Sequence, residues 1–130
     1  MLSTAARHNS RVPASPQTSS PAKADRRLHE ALAEAMALIA GARGMASNDS
    51  GLMHVAAAFG IPQAAMFGST SPEHTPPLNP RARVLWLKDE LALDCAPCFD
   101  RACRFGHTRC LTGIAPARAL AALQEALAAG

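Results

Sequence analysis

The chain has 130 residues, 48% of them hydrophobic and 18% charged, with a formal net charge of +3. That permits one domain with a real core, and so small an excess charge demands no polyanionic partner. One Trp, four Phe and no Tyr leave no stacking platform for single-stranded nucleic acid, so no nucleic-acid partner is expected. No apolar run approaches the ~18 residues of a membrane span. The N-terminus lacks the apolar stretch of a signal peptide. A soluble, cytoplasmic protein is expected.

Residues 1–23 are rich in Ser, Thr and Pro, carry Arg7, Arg11 and Lys23, and contain no acid. They read as a disordered tail; an organelle transit peptide is the weaker alternative, because no amphipathic pattern accompanies the arginines. The first helix is predicted over 24–42, with Leu28, Leu32, Met36 and Ile39 at helical spacing as its core face. A short apolar stretch, Met45 to Ser47, leads into a second helix over 50–59. Its predicted core face is Leu52, Val55, Ala56 and Phe59, with Gly60 as the C′ residue and Pro62 forbidding continuation.

Gln63 to Phe67 reads as a buried parallel strand that ends in the Gly68-Ser69-Thr70-Ser71 loop. A proline-rich loop over 71–82 precedes another strand over 83–87. Residues 94–113 show no period. The last helix begins near Pro116 and carries Leu120, Leu123 and Leu127 on one side. This order predicts an α/β fold around a parallel sheet of few strands.

Ser47-Asn48-Asp49-Ser50-Gly51-Leu52-Met53-His54 sits between a strand end and a helix start. The free N–H groups and partial positive charge of a helix N-terminus suit phosphate oxygens. Gly51 lets a ligand approach the backbone, and His54, four residues after Ser50, shares its face. The plain alternative is a helix cap made by Asp49 or Ser50. Ser69 and Thr70 follow a strand directly, at the sheet edge where open α/β sheets bind ligands; the alternative is an ordinary turn.

Cys95, Cys98, Cys103 and Cys110 are spaced C-x2-C-x4-C-x6-C, with His107 between the last two. Four thiolates can complete a tetrahedral zinc site, and an iron–sulfur cluster can be held the same way. The second pair lacks knuckle spacing, which leaves reduced thiols in a loop as the alternative. Arg101, Arg104, Arg109 and Arg118 form either a basic patch for lipid-linked phosphates or a solvated surface.

Two segments carry a resemblance. Residues 47–58, and Phe67-Gly68-Ser69-Thr70-Ser71-Pro72-Glu73-His74-Thr75-Pro76-Pro77-Leu78, resemble the ADP-heptose:lipopolysaccharide heptosyltransferases of glycosyltransferase family 9. Cys95-Ala96-Pro97-Cys98-Phe99, Gly106-His107 and Cys110-Leu111 are similar to a cysteine-bearing loop of many members. The resemblance runs from about Ala24 to the end.

It implies a partial Rossmann-like sheet, the C-terminal part of a GT-B donor-binding domain over 24–130. It implies that Asp49, Ser50, Gly51 and His54, with Ser69 and Thr70 beside them, contact ADP-heptose. The implied reaction transfers heptose to the lipopolysaccharide inner core with inversion, and no cofactor is required. The implied place is the cytoplasm, peripheral at the inner face of the inner membrane.

The family's N-terminal domain, with its acidic base and acceptor site, has no counterpart here. No catalytic residue is therefore assigned, and inactivity of the chain alone is expected. A truncated product, a half completed by a separate chain, a non-functional remnant and a small module stabilised by four cysteines and zinc all stay open.

Overall fold

The computed structural model describes residues 21–130. Three parallel strands, β1 (Met45–Asn48), β2 (Gln63–Phe67) and β3 (Ala82–Trp86), lie in the order β1-β2-β3. Around them stand α1 (Pro21–Ala40), α2 (Gly51–Ala58), α3 (Arg109–Thr112) and α4 (Pro116–Ala128). The α/β expectation with a small parallel sheet is met. The tail expected over 1–23 lies outside the described residues except for 21–23, which form the first turn of α1.

β1, α2 and β2 make one β–α–β crossover, the connection that parallel strands need. Ser50 caps α2: its backbone is extended and its Oγ accepts the Met53 N–H at 3.4 Å. The other end closes with Gly60 at φ +67°. The Gly60 N–H donates to the Ala57 carbonyl and the Ile61 N–H to that of Ala56, each at 3.0 Å. A left-handed residue is needed for that double closure, and glycine takes it without a Cβ clash. From β2 to β3 the chain returns through the 68–81 loop, with no helix.

Strand alternation divides β2 between two cores. Ala65 and Phe67 face α2 and pack with Met53, against which Trp86 rests. Ala64 turns the other way and packs with Leu85 and Ala122, flanked by Met66, Ile114, Ala119 and Leu123. Phe67 and Met53 are fully buried, and each such side chain contributes roughly 1.5–3 kcal/mol of hydrophobic stabilisation.

Each of the three longer helices meets the core with only part of the face that periodicity predicts: Ile39 in α1, Ala56 in α2 and Leu123 in α4. α2 buries Met53, Ala56 and Ala57, while Leu52 and Phe59 are exposed. α4 buries Ala122 and Ala126 and leaves Leu120 and Leu127 at the surface. Small residues bring both helices close to the sheet, and the larger ones splay outward. In α1 only Ile39 is buried; Leu28, Leu32 and Met36 are exposed. The cause is length: at 1.5 Å per residue, α1 runs about 30 Å and α2 about 12 Å, so α1 overhangs the helix it packs against. Among the described residues no helix is long and apolar enough to cross a membrane.

Candidate functional site

The carboxyl ends of β1 and β2 set the site. Asp49 directly follows β1, and its N–H donates to the Met66 carbonyl at 3.1 Å, so the sheet ladder fixes its backbone. Its side chain is only 15% exposed. Asp49 Oδ1 lies 3.8 Å from His54 Nε2, and Thr75 Oγ1 donates to Asp49 Oδ2 at 3.3 Å. One carboxylate thus stands between the imidazole from α2 on one side and a hydroxyl from the proline-rich loop on the other. His54 remains 44% exposed and free to meet a ligand.

Of the two capping candidates, Ser50 is the cap and Asp49 is not. Ser50 Oγ accepts the Met53 N–H, which leaves its own proton available to an outside acceptor. The N–H groups of Gly51 and Leu52 lie in the first turn, beyond the reach of any preceding helical carbonyl. A Cβ built on Gly51 would meet nothing within 4 Å, so the space above this turn is open.

Ser69 and Thr70 follow β2 and share one cleft of about 140 Å³ with Asn48, Asp49 and Leu111. The two polar loops therefore do converge. Ser50, Gly51 and His54 do not line that cleft; His54 reaches it only through Asp49. Gly68, at the hinge of the second loop, has a steric role: a Cβ there would lie 2.6 Å from Leu111 Cγ. Ser71 is buried and starts a turn, accepting the Glu73 N–H on its Oγ at 3.2 Å and those of His74 and Thr75 on its carbonyl at 3.2 Å. That turn presents Thr75 to Asp49.

A second cleft, about 110 Å³, lies on the other side of Gly68 and Ser69 and is lined by all four cysteines and His107. The thiols are half-buried and unpaired with one another. Cys95 Sγ stands 4.0 Å from His107 Nε2, and the Arg109 N–H donates to His107 Nδ1 at 3.1 Å. The backbone N–H of Thr108, then those of Phe105, His107 and Gly106, face the Cys103 sulfur and hold its thiol below the ordinary range. Burial, and then the neighbouring Cys98, Cys103 and Cys95, push the Cys110 thiol up. The Phe99 N–H donates to the Ser69 carbonyl at 2.8 Å, and the Phe99 ring meets His74 edge-on at 5.8 Å. The cysteine loop is thereby tied to both halves of the first site.

Residues 29–109 match the model of glycosyltransferase family 9 (heptosyltransferase), more than half of the chain. The chain belongs to this family. It is 39% identical over 97 residues to the lipooligosaccharide heptosyltransferase 2 of Haemophilus influenzae, covering 75% of this chain and 27% of that protein. Over 56 residues it is 52% identical to the lipopolysaccharide heptosyltransferase 2 of Salmonella typhimurium, 43% of this chain and 16% of the relative. The solved ADP-heptose lipopolysaccharide heptosyltransferase II of Escherichia coli superimposes with a TM-score of 0.58 at 38% identity, over 75% of this chain and 25% of that one. The chain thus spans about a quarter or less of these relatives. Its α/β unit is a partial heptosyltransferase fold, as the resemblance implies.

Within that family frame, Thr75 is the site residue that sequence reasoning passes over. It lies 26 positions from Asp49, so no local pattern joins them. Two of the four arginines near the cysteines are paired with carboxylates. Arg118 makes a two-pronged pair with Glu90, its Nη1 to Oε2 at 2.7 Å. Arg104 pairs with Asp100 at 3.0 Å.

Proposed function

We propose that this heptosyltransferase-family chain supplies part of the donor site for a nucleotide-activated heptose, destined for the inner core of lipopolysaccharide. One observation carries the reading: Asp49, behind which His54 and Thr75 are anchored, shares a cleft with Ser69 and Thr70 at the carboxyl ends of the strands. Ligands of open α/β sheets bind at that edge. The donor in this reading is ADP-heptose, the nucleotide sugar named for the Escherichia coli relative.

The roles divide by chemistry. The Gly51 and Leu52 N–H groups and the Ser50 hydroxyl meet diphosphate oxygens at the start of α2, where the helix dipole favours negative charge. His54 donates a further hydrogen bond, oriented by Asp49. The Asp49 carboxylate would repel a phosphate, so it orients His54 and accepts from sugar hydroxyls. Ser69 and Thr70 contact the donor from the second loop.

In the transfer, the bond from the heptose anomeric carbon to the diphosphate oxygen breaks. A bond from that carbon to an acceptor hydroxyl oxygen forms, and ADP leaves. Fixed donors aimed at the departing diphosphate stabilise the charge it gains. The acceptor site and the carboxylate that takes the hydroxyl proton belong to protein outside these 130 residues, whether in the same polypeptide or a separate chain. The chain alone is accordingly expected to show no turnover with ADP-heptose and a core acceptor; rates of ~1–10³ s⁻¹, ordinary for enzymes, would refute this division.

Calorimetry of ADP-heptose binding tests the site. Gly51→Val, whose branched side chain fills the open space above the turn, is expected to reduce binding most. His54→Ala is expected to weaken it by roughly 0.5–3 kcal/mol, the range for one hydrogen bond, neutral or charge-assisted. If both variants stay folded and bind like the parent, the turn is a helix cap and nothing more.

A further inference from the structure

The cysteine loop lies outside the proposed donor contacts, yet it gathers the most chemically distinctive side chains among the described residues. Cys95, Cys98, Cys103 and Cys110 come from four points along the loop and all line the one cleft beside Gly68 and Ser69. All four are unpaired and half-buried. Little apolar packing holds this stretch: between residues 88 and 111, Leu93 and Ala96 are the buried hydrophobics. Phe99 and Thr108 adopt left-handed backbone angles, φ +56° and +47°, which for non-glycine residues persist only where the surroundings enforce them. A loop with this little core needs another source of order.

We infer that the loop is a zinc–thiolate site, with Cys95, Cys98, Cys103 and Cys110 as the four ligands and His107 as a hydrogen-bond donor to the Cys95 sulfur. Four soft sulfur donors without an open position define a structural zinc centre. The orientation of His107 separates its role from that of a ligand. Its Nδ1 accepts the Arg109 N–H, so the neutral ring carries its proton on Nε2, the atom facing Cys95. A protonated ring nitrogen cannot coordinate a metal, but it can donate to a metal-bound thiolate, as outer-sphere groups commonly do.

Zinc with four thiolates carries a net charge of −2, and Arg101 and Arg104 line the same cleft. Among the described residues no group of three or more His, Cys, Asp or Glu side chains is already set to hold a metal ion. In the zinc-bound form proposed here the four sulfurs close on the ion, and the thiol protons leave as the bonds form. Because the Phe99 N–H holds the Ser69 carbonyl, a closed centre would also fix the Ser69–Thr70 loop. Zinc binding itself requires nothing of the donor-site reading.

The test uses the full chain, metal-free and then titrated with Zn²⁺, with Co²⁺ as a spectroscopic substitute. The expected result is one zinc per chain and four thiols shielded from a thiol reagent until a chelator is added. Co²⁺ should give the intense visible bands of a tetrahedral all-sulfur centre. Cys98→Ser and Cys110→Ser should each lose stoichiometric zinc. His107→Ala should keep one zinc per chain but bind it roughly 10–100-fold more weakly, the usual effect of removing an outer-sphere partner. Should a cysteine variant fail to fold, the thiol shielding and cobalt spectrum of the parent still decide. Zinc far below one per chain with four freely reacting thiols would overturn the site. An unchanged cobalt spectrum in folded Cys110→Ser would overturn the four-sulfur assignment.

Discussion

The β1–α2–β2 unit and the cysteine loop sit side by side yet are held in different ways. In the first, every strand is hydrogen-bonded in register, and fully buried Met53, Ala65 and Phe67 pack beneath the site. In the second, one four-residue helix, Arg109–Thr112, buries no residue, and local turns and single hydrogen bonds do the rest. The site on the rigid unit can keep its shape without help. Beyond its buried Leu93 and Ala96, the loop takes its shape from what is tied to it: Ser69, His74 and, in the zinc-bound form proposed, a metal ion. Binding residues on a rigid scaffold and a loop buttressed from outside are two answers to one need, the placing of polar groups within a fraction of an ångström.

The comparison breaks most sharply in the core. Phe67→Ala should cost about 3–5 kcal/mol, a large share of a small domain's total stability, as read by chemical denaturation. Phe105, 62% exposed in the cysteine loop, should tolerate the same change with little effect. Equal losses at the two positions would mean that the loop has a hidden core.

Next comes the seam between the regions. A Cβ at Gly68 would collide with Leu111 Cγ, so Gly68→Ala should destabilise by about 1–3 kcal/mol through overpacking. Gly68→Ala combined with Leu111→Ala should recover part of that loss. Thermal unfolding of the single and double variants checks the coupling; strictly additive losses would place the strain elsewhere.

Much of the rigid unit is legible in the sequence, and the reasons are local. The apolar run Gln63 to Phe67 is the observed strand to the residue, because a strand buried on both faces needs no alternation. Ser50, Gly60 and Pro116 mark helix ends correctly because caps and breakers act through adjacent backbone. Helix faces are less legible. Leu120 and Leu127 read as core, yet Ala122 and Ala126 are buried instead, because the strands beneath a helix decide which stripe is covered. The Asp49–Thr75 bond and the contact of Cys95 with His107 are invisible for a related reason: each needs the loop closed in space first.

A smaller effect belongs to the cap of α2. Ser50→Ala should cost about 0.5–2 kcal/mol, whereas Gly51→Ala, with open space around its new Cβ, should be neutral or slightly stabilising. Denaturation midpoints of the two variants distinguish a cap from a merely crowded turn.

The smallest effect is electrostatic. The Glu90 carboxyl is held below its ordinary range by the hydrogen bond and charge of Arg118. A carboxyl with a depressed folded pKa stabilises above its unfolded value, and that contribution is lost as the pH falls through the folded one. Both side chains are solvent-exposed, so the loss is slight and shrinks with added salt. Glu90→Gln should flatten that small acid dependence without altering the fold.

The most direct test of the donor-site claim is amide NMR of the whole 130-residue chain titrated with ADP-heptose, since the method reads weak binding residue by residue. Concentration-dependent shifts are expected at Asn48 to His54 and at Gly68 to Thr70, with the exposed face of α4 around Leu120 and Leu127 unmoved. Shifts that avoid both loops, or that gather on α4 or α1 instead, would contradict that claim.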